Sequence, residues 1–380
     1  MSFNLIPRFF YTLNFISYLT PFKVADSGKI ECLFGKDKYI LNFNNARVGL
    51  KLLLNSISDK SLKVGVQAYT CYTVFQAIHN AGHEIVFIDL TDEIKLDLNH
   101  LKNNLDKIDV LIITHIFGYP DDIDKITNLI GNKIIIEDCS HSFLSKYKRK
   151  YTGTLGDAAI FSMGLGKFPP IGSGGFCVVN KPNRFPLLNQ EYEKIPKNKL
   201  ISSINDFLKV LSFSFMMKPP MYGIITRRLG KKLDLKMDFG NKFSFSESKG
   251  TLWEQRILKN NLSLFKKMQI KQTENAKALS SLLKMKSSFL NKTNHNTPNH
   301  YALPLLTGKR NKLYDKLLEN NIETGKHFHK SLEWASEFGY KKGECPNTEK
   351  IVGQILTVPI HFGVSKKTII KIAKIINENS

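Results

Sequence analysis

The sequence predicts an α/β protein: a mostly parallel, mixed sheet sandwiched by helices, followed by a smaller α+β domain. Three observations carry that expectation. Short apolar runs rich in Ile and Val recur between Lys63 and Val179. Polar stretches with helical spacing separate them. From about residue 183 the texture changes, and a long helical stretch and a second alternation of strand and helix then follow.

Taken in order, Asn44-Asn45-Ala46-Arg47 precedes the amphipathic run Val48–Leu54. Asn is a favoured N-cap, and a helix start offers free N–H groups and a positive dipole end to an anion. The runs Lys63–Gln67, Glu84–Leu90, Val110–His115, Lys133–Asp138, Ala158–Met163 and Gly174–Val179 are continuous, as in strands buried on both faces. Val74–Ala81 and Asp121–Ile130 read as helices between them. Only a loop joins the last two runs, which predicts a mixed sheet. Ligands in such sheets sit beyond the carboxyl ends of the strands, which predicts a crevice shared by His115, Asp138 and Ser162.

Residues 1–250 are expected to form the large domain, with 183–245 as an atypical apolar and basic insertion. There Ile204–Met217 is strongly apolar and is followed by Lys218-Pro219-Pro220, Arg227, Arg228, Lys231 and Lys232. Residues 251–380 are expected to supply one long linking helix, Thr251 to Leu283, and a small domain. Its strands and helices are read from Asn299–Leu306, Lys312–Asn320, Ile355–Pro359 and Lys366–Ile376.

With 42% hydrophobic and 23% charged residues over 380 positions, the chain can bury a sizeable core and is not of disordered composition. Five scattered cysteines, Cys32, Cys71, Cys139, Cys177 and Cys345, support neither a disulfide framework nor a zinc site, so no metal is expected and a reducing cytoplasm fits. The net charge of +22 comes mostly from dispersed lysines. No nucleic-acid-binding motif accompanies it, so nucleic acid is not the expected partner. No apolar run reaches the roughly 20 residues of a spanning helix, and the apolar stretch Met1 to Phe22 lacks the charged start and cleavage site of a signal peptide.

The sharpest chemistry lies in Phe161-Ser162-Met163-Gly164-Leu165-Gly166-Lys167-Phe168-Pro169-Pro170-Ile171-Gly172-Ser173-Gly174-Gly175. A lysine follows a strand, in a loop shaped by Gly and Pro. Its amine attacks an aldehyde only when unprotonated, so such a role needs a site that lowers its pKa. Asp138 ends the strand Ile134-Ile135-Ile136-Glu137-Asp138, where a carboxylate suits a protonated ring nitrogen. Asp also ends strands as a turn former, so the residue alone does not choose. His141 stands three residues on.

Together these pieces resemble the DegT/DnrJ family of nucleotide-sugar aminotransferases, which have the aspartate-aminotransferase-like fold. The blocks occur in order: Asn45-Ala46-Arg47-Val48-Gly49-Leu50, Ala68-Tyr69-Thr70-Cys71, Val86-Phe87-Ile88-Asp89, His115-Ile116-Phe117-Gly118-Tyr119-Pro120-Asp121, Glu137-Asp138-Cys139-Ser140-His141, Gly153-Thr154-Leu155-Gly156-Asp157 and the lysine loop. Asn321-Ile322-Glu323-Thr324-Gly325-Lys326-His327-Phe328 and Val358-Pro359-Ile360-His361 follow.

The resemblance implies the cofactor pyridoxal 5'-phosphate, with Lys167 as its Schiff-base lysine and proton carrier. It implies Asp138 at the pyridinium, His141 near the phenolic oxygen, Ser162 and the amides of Ala46 and Arg47 at the phosphate, and His327 near the sugar. Where many relatives stack Phe or Trp on the ring, this chain has Cys71, with Tyr69 and Tyr72 beside it, and any of these is open as the partner. The usual Gly-Glu-Gly-Gly is Gly172-Ser173-Gly174-Gly175. Asn241 is a candidate for the asparagine that relatives contribute from a neighbouring subunit. A homodimer, glutamate as amino donor, a keto-sugar nucleotide as acceptor and a setting in surface polysaccharide assembly are implied as well.

Two other functions stay open on the same fold. A sugar dehydratase of this kind has histidine in place of the lysine, against which Lys167 stands. A regulator or scaffold has no physical need for Lys167, Asp138 and Ser162 together. The segment 204–232, with apolar Phe207, Leu208, Leu211, Phe213, Phe215, Met216 and Met217 beside basic residues, has two readings. It covers a dimer or domain interface, or it makes a peripheral contact with an anionic membrane.

Overall fold

The computed structural model describes residues 4–9, 30–35, 37–218, 221–226, 244–285 and 296–379. Arg227, Arg228, Lys231, Lys232 and Asn241 lie outside the described residues, as does most of the stretch Met1 to Phe22.

A seven-stranded sheet forms the centre, in the order β1-β9-β8-β5-β4-β2-β3. Its strands are β1 (Tyr39–Phe43), β2 (Lys63–Gln67), β3 (Glu84–Ile88), β4 (Val110–Thr114), β5 (Ile134–Asp138), β8 (Ala158–Ser162) and β9 (Gly175–Val179). The five from β2 to β5 and β8 run parallel. β9 is antiparallel to both β8 and β1. A short hairpin, β6 (Lys146–Tyr147) with β7 (Lys150–Tyr151), leads into β8. Every residue of β4, β5 and β9 is buried, which is why these runs carry no polar alternation.

The two-residue period of each strand divides its side chains between two cores. Val110 and Ile112 join a cluster with α1 (Ala46–Asn55) and α2 (Tyr72–Asn80), including Leu53, Phe75 and Ile78. Leu111 and Ile113 face the other way, onto Ile123, Ile126 and Ile130 of α3 (Ile123–Ile130). At about 1.5–3 kcal/mol for each fully buried aliphatic side chain, a one-residue slip of β4 would forfeit both layers.

Beyond the sheet, α4 (Leu200–Met216) packs Phe207, Val210 and Leu211 against the core while Ile204, Leu208 and Phe215 stay exposed. The expected single helix from Thr251 to Leu283 is two: α5 (Leu252–Asn260) and α6 (Leu262–Leu282). Asn261 breaks it, at φ −109° and ψ 12°, while its side-chain amide donates to the Ile257 carbonyl. Later in the chain, β10 (Leu303–Leu306) pairs antiparallel with β11 (Ile355–Val358). α6, α7 (Arg310–Glu319) and α9 (Lys366–Asn379) share a core with this pair through Leu279, Leu313, Leu317 and Ile372. α8 (Pro346–Gln354) points its start at the large sheet, where Asp89 accepts from the backbone of Asn347 and Thr348 and from the Thr348 hydroxyl.

Candidate active site

Three parallel strands end side by side. Thr114 closes β4, Asp138 closes β5 and Ser162 closes β8, and all three line one cavity of about 480 Å³. Lys167, His141, Cys71, Ala46 and Arg47 line it too. The start of α1 faces it because Asn45 caps the helix: extended at φ −159°, it accepts from the Val48 amide through its side chain. The amides of Ala46 and Arg47 belong to the first turn, which has no intrahelical partner for its N–H groups. Gly175 lets this turn lie against the sheet, since a Cβ there would come within 2.5 Å of the Ala46 nitrogen.

Lys167 Nζ lies 2.9 Å from His141 Nε2. The other imidazole nitrogen, Nδ1, accepts from the Phe117 amide at 3.3 Å. A neutral imidazole that accepts at Nδ1 carries its proton on Nε2, so His141 donates to Lys167 and the amine must offer a lone pair. Burial works in the same direction: it lowers the Lys167 pKa, with Cys71 and Asp138 pulling partly back. Burial, above all, holds His141 well below an ordinary histidine. The imidazole is fixed in place by Tyr301, stacked at 4.3 Å, and the Tyr301 hydroxyl donates to the Gly166 carbonyl beside Lys167.

Asp138 is buried, accepts from the Ser140 amide at 2.9 Å and has a longer contact of 3.4 Å with the Thr114 hydroxyl. Among the described residues it has no ion-pair partner, although burying an unpaired carboxylate is costly. A cationic ring nitrogen beside it would complete the site. A nucleophilic neutral amine, that carboxylate, and a serine with a capped helix start suited to phosphate form one donor set, and it fits pyridoxal phosphate.

Several expected residues fall elsewhere. His115 does not reach the crevice: it is fully buried, accepts from the Asp121 amide at Nδ1 and contacts Glu137 through Nε2 at 2.9 Å. Glu137 also accepts from the amides of Gly153, Leu155 and Gly156, so the ligand atoms that His115 and Glu137 would offer an ion, next to Cys139, are already engaged. Neither tyrosine stacks in the cavity. Tyr72 points into the core against Trp334 and Phe338, and Tyr69 is buried with its hydroxyl on the His327 carbonyl. Cys71 alone of the three lines the cavity. His327 stands just behind the lining, edge-on to His141 at 5.3 Å, and Phe328 lines it instead. Arg47 turns its guanidinium to Gln76 Oε1 at 2.7 Å.

Three residues went unnoticed in the sequence: Phe117, which fixes the tautomer, Tyr301, and Asn299, whose side chain donates to the His141 and Phe143 carbonyls. Only a match of distant segments could have found the last two, because they reach the site from more than 130 residues beyond Lys167.

A doubly wound sheet whose strand ends gather a buried lysine amine, a buried carboxylate and a phosphate-ready helix start defines a pyridoxal-phosphate enzyme. The chain belongs to the DegT/DnrJ/EryC1/StrS aminotransferase family, whose model matches residues 29–188 and 230–377. It is 25% identical over 361 residues, 91% of this chain and 86% of the other, to the UDP-4-amino-4,6-dideoxy-N-acetyl-beta-L-altrosamine transaminase of Campylobacter jejuni. An uncharacterized protein of Methanocaldococcus jannaschii is 24% identical over 363 residues, covering 90% of this chain and 87% of that one. The fold matches that of Helicobacter pylori PseC, an aminotransferase involved in the biosynthesis of pseudoaminic acid. The TM-score is 0.74 over 99% of both chains, at 14% identity.

Proposed function

We propose that the protein moves an amino group from glutamate to a keto carbon of a nucleotide-diphosphate sugar, supplying an amino sugar for surface polysaccharide assembly. The observation that carries this reading is the buried Lys167 amine, 2.9 Å from His141, sharing one cavity with Asp138, Ser162 and the start of α1. Family membership and the transaminase relative from Campylobacter jejuni support the substrate class.

When bound, the cofactor supplies an aldehyde that captures amines and a ring that withdraws electrons. Asp138 holds the proton on the ring nitrogen. Ser162 and the Ala46 and Arg47 amides would hold the phosphate, Cys71 would border the ring, and His327 would support the sugar end through Phe328. His141 orients the Lys167 amine, and Lys167 Nζ would be the group that takes up and returns the proton in the transfer. Incubation with pyridoxal phosphate, glutamate and a panel of keto-sugar nucleotides is expected to release 2-oxoglutarate with one of them. No release with any, from protein that has taken up the cofactor, overturns the reading.

The division into 1–250 and 251–380, a homodimer and a cytoplasmic location are part of the same proposal. No helix among the described residues is long and apolar enough to cross a membrane. The exposed Ile204, Leu208 and Phe215 of α4 favour an apolar partner surface, which we assign to the second subunit. Contact with an anionic membrane is the second reading, and co-sedimentation with anionic vesicles at low salt distinguishes the two.

A further inference from the structure

Helix α4 falls inside residues 189–229, which the family match leaves out, yet it walls the cavity with Asp206, Lys209 and Val210. It packs closely on the lysine loop, since a Cβ on Gly172 would lie 3.1 Å from both methyls of Val210. Three lysine or arginine side chains line the cavity: Arg47, Lys167 and Lys209. Arg47 is taken up by Gln76 and Lys167 by His141. Lys209 is exposed and has no hydrogen-bond or ion-pair partner among the described residues.

We propose that Lys209 binds a phosphate of the substrate's nucleoside-diphosphate half, which makes α4 part of the acceptor-binding wall of this chain. The inference rests on the nucleotide-sugar reading above. An ammonium on a flexible stem follows a phosphate as a point charge, without the fixed fork that arginine requires. Asp206, three residues earlier and therefore on a neighbouring part of the same helix face, carries the opposite sign. Its carboxylate weakens the attraction, so the two side chains should act in opposite directions on one ligand.

The test is calorimetric binding of UDP, GDP, CDP and dTDP to the pyridoxal-phosphate-loaded protein, with thermal unfolding of every variant alongside. For whichever nucleotide binds wild type most tightly, Lys209→Ala is expected to weaken binding by about tenfold and to flatten its salt dependence. Lys209→Arg should keep most of the affinity, and Asp206→Asn should raise it. Lys218→Ala removes an exposed charge just past the same helix, outside the cavity lining, and serves as the control. Equal affinity in wild type and Lys209→Ala overturns the inference, as does an equal loss in Lys218→Ala. Failure of wild type to bind any of the four overturns the nucleotide-sugar reading itself, and the inference with it.

Discussion

His141 Nε2 stands 2.9 Å from Lys167 Nζ, and the Phe117 amide on the far side of the imidazole decides which of the two donates. That arrangement and burial both bias the lysine toward its free base. Removing its partner should let it protonate more readily. In cofactor-free protein, the pH midpoint for reaction of Lys167 with an amine-directed label should rise in His141→Ala, and turnover should fall by about 10²-fold or more. An unchanged midpoint would show that burial alone sets the amine.

Lys167→Ala should lose the visible absorption band of the bound cofactor and all transamination, because the covalent link and the proton carrier disappear together. Spectra of the reconstituted variant check this, and a retained band would place the link on another lysine.

Asp138 is the buried carboxylate without an ion-pair partner in the cavity. Asp138→Ala should lower kcat by about 10²–10³, the usual loss when a preorganised charge is removed from a site, and should weaken cofactor retention during dialysis. Wild-type retention together with wild-type kcat would contradict its assignment to the ring nitrogen.

Asp89 joins the two halves of the molecule by capping α8 with three hydrogen bonds. Asp89→Ala should reduce unfolding free energy by about 1–3 kcal/mol, from the lost cap and the buried donors left behind. Urea unfolding monitored by tryptophan fluorescence measures it, and Trp334 of the same half gives a local signal.

Acid should destabilise the fold earlier than carboxylate titration would suggest. His300 and His361 are pushed down to about 4 by burial, and His141 and His327 lie well below 6.5. The unfolded chain protonates these groups below about pH 6.5 while the folded chain refuses the proton, so stability is full above that pH and falls as pH drops toward 4. The raised pKa values of Asp121 and Glu254 oppose this, because their buried carboxyls take up protons before those of the unfolded chain as pH falls. Thermal midpoints from pH 7.5 to 4.5 test it, and His361→Asn, which bears a single buried histidine fewer, should flatten the slope.

The parallel sheet was readable because β4 and β5 are unbroken Ile- and Val-rich runs, a pattern that only strands covered on both faces retain. β1 was not, since Tyr39-Ile40-Leu41-Asn42-Phe43 is a half-exposed edge strand with little of that pattern. Asp138 and Ser162 were legible as strand-end residues, and Lys167 as the lysine of the loop that follows β8. Tyr72 was misread because closeness in sequence says nothing about which side of a helix a ring occupies. His115 was misplaced by one residue, and in a strand that reverses the face: Thr114 points to the cavity while His115 turns to Glu137. Tyr301 and Asn299 gave no local signal, because their partners lie in another part of the chain.

Tyr301 stands two residues before β10 and holds the carbonyl of Gly166. The Lys167 loop is therefore tied to a residue more than 130 positions further along the chain. The segment that leads into β10 thus shares a hydrogen bond with the loop that presents the reactive amine.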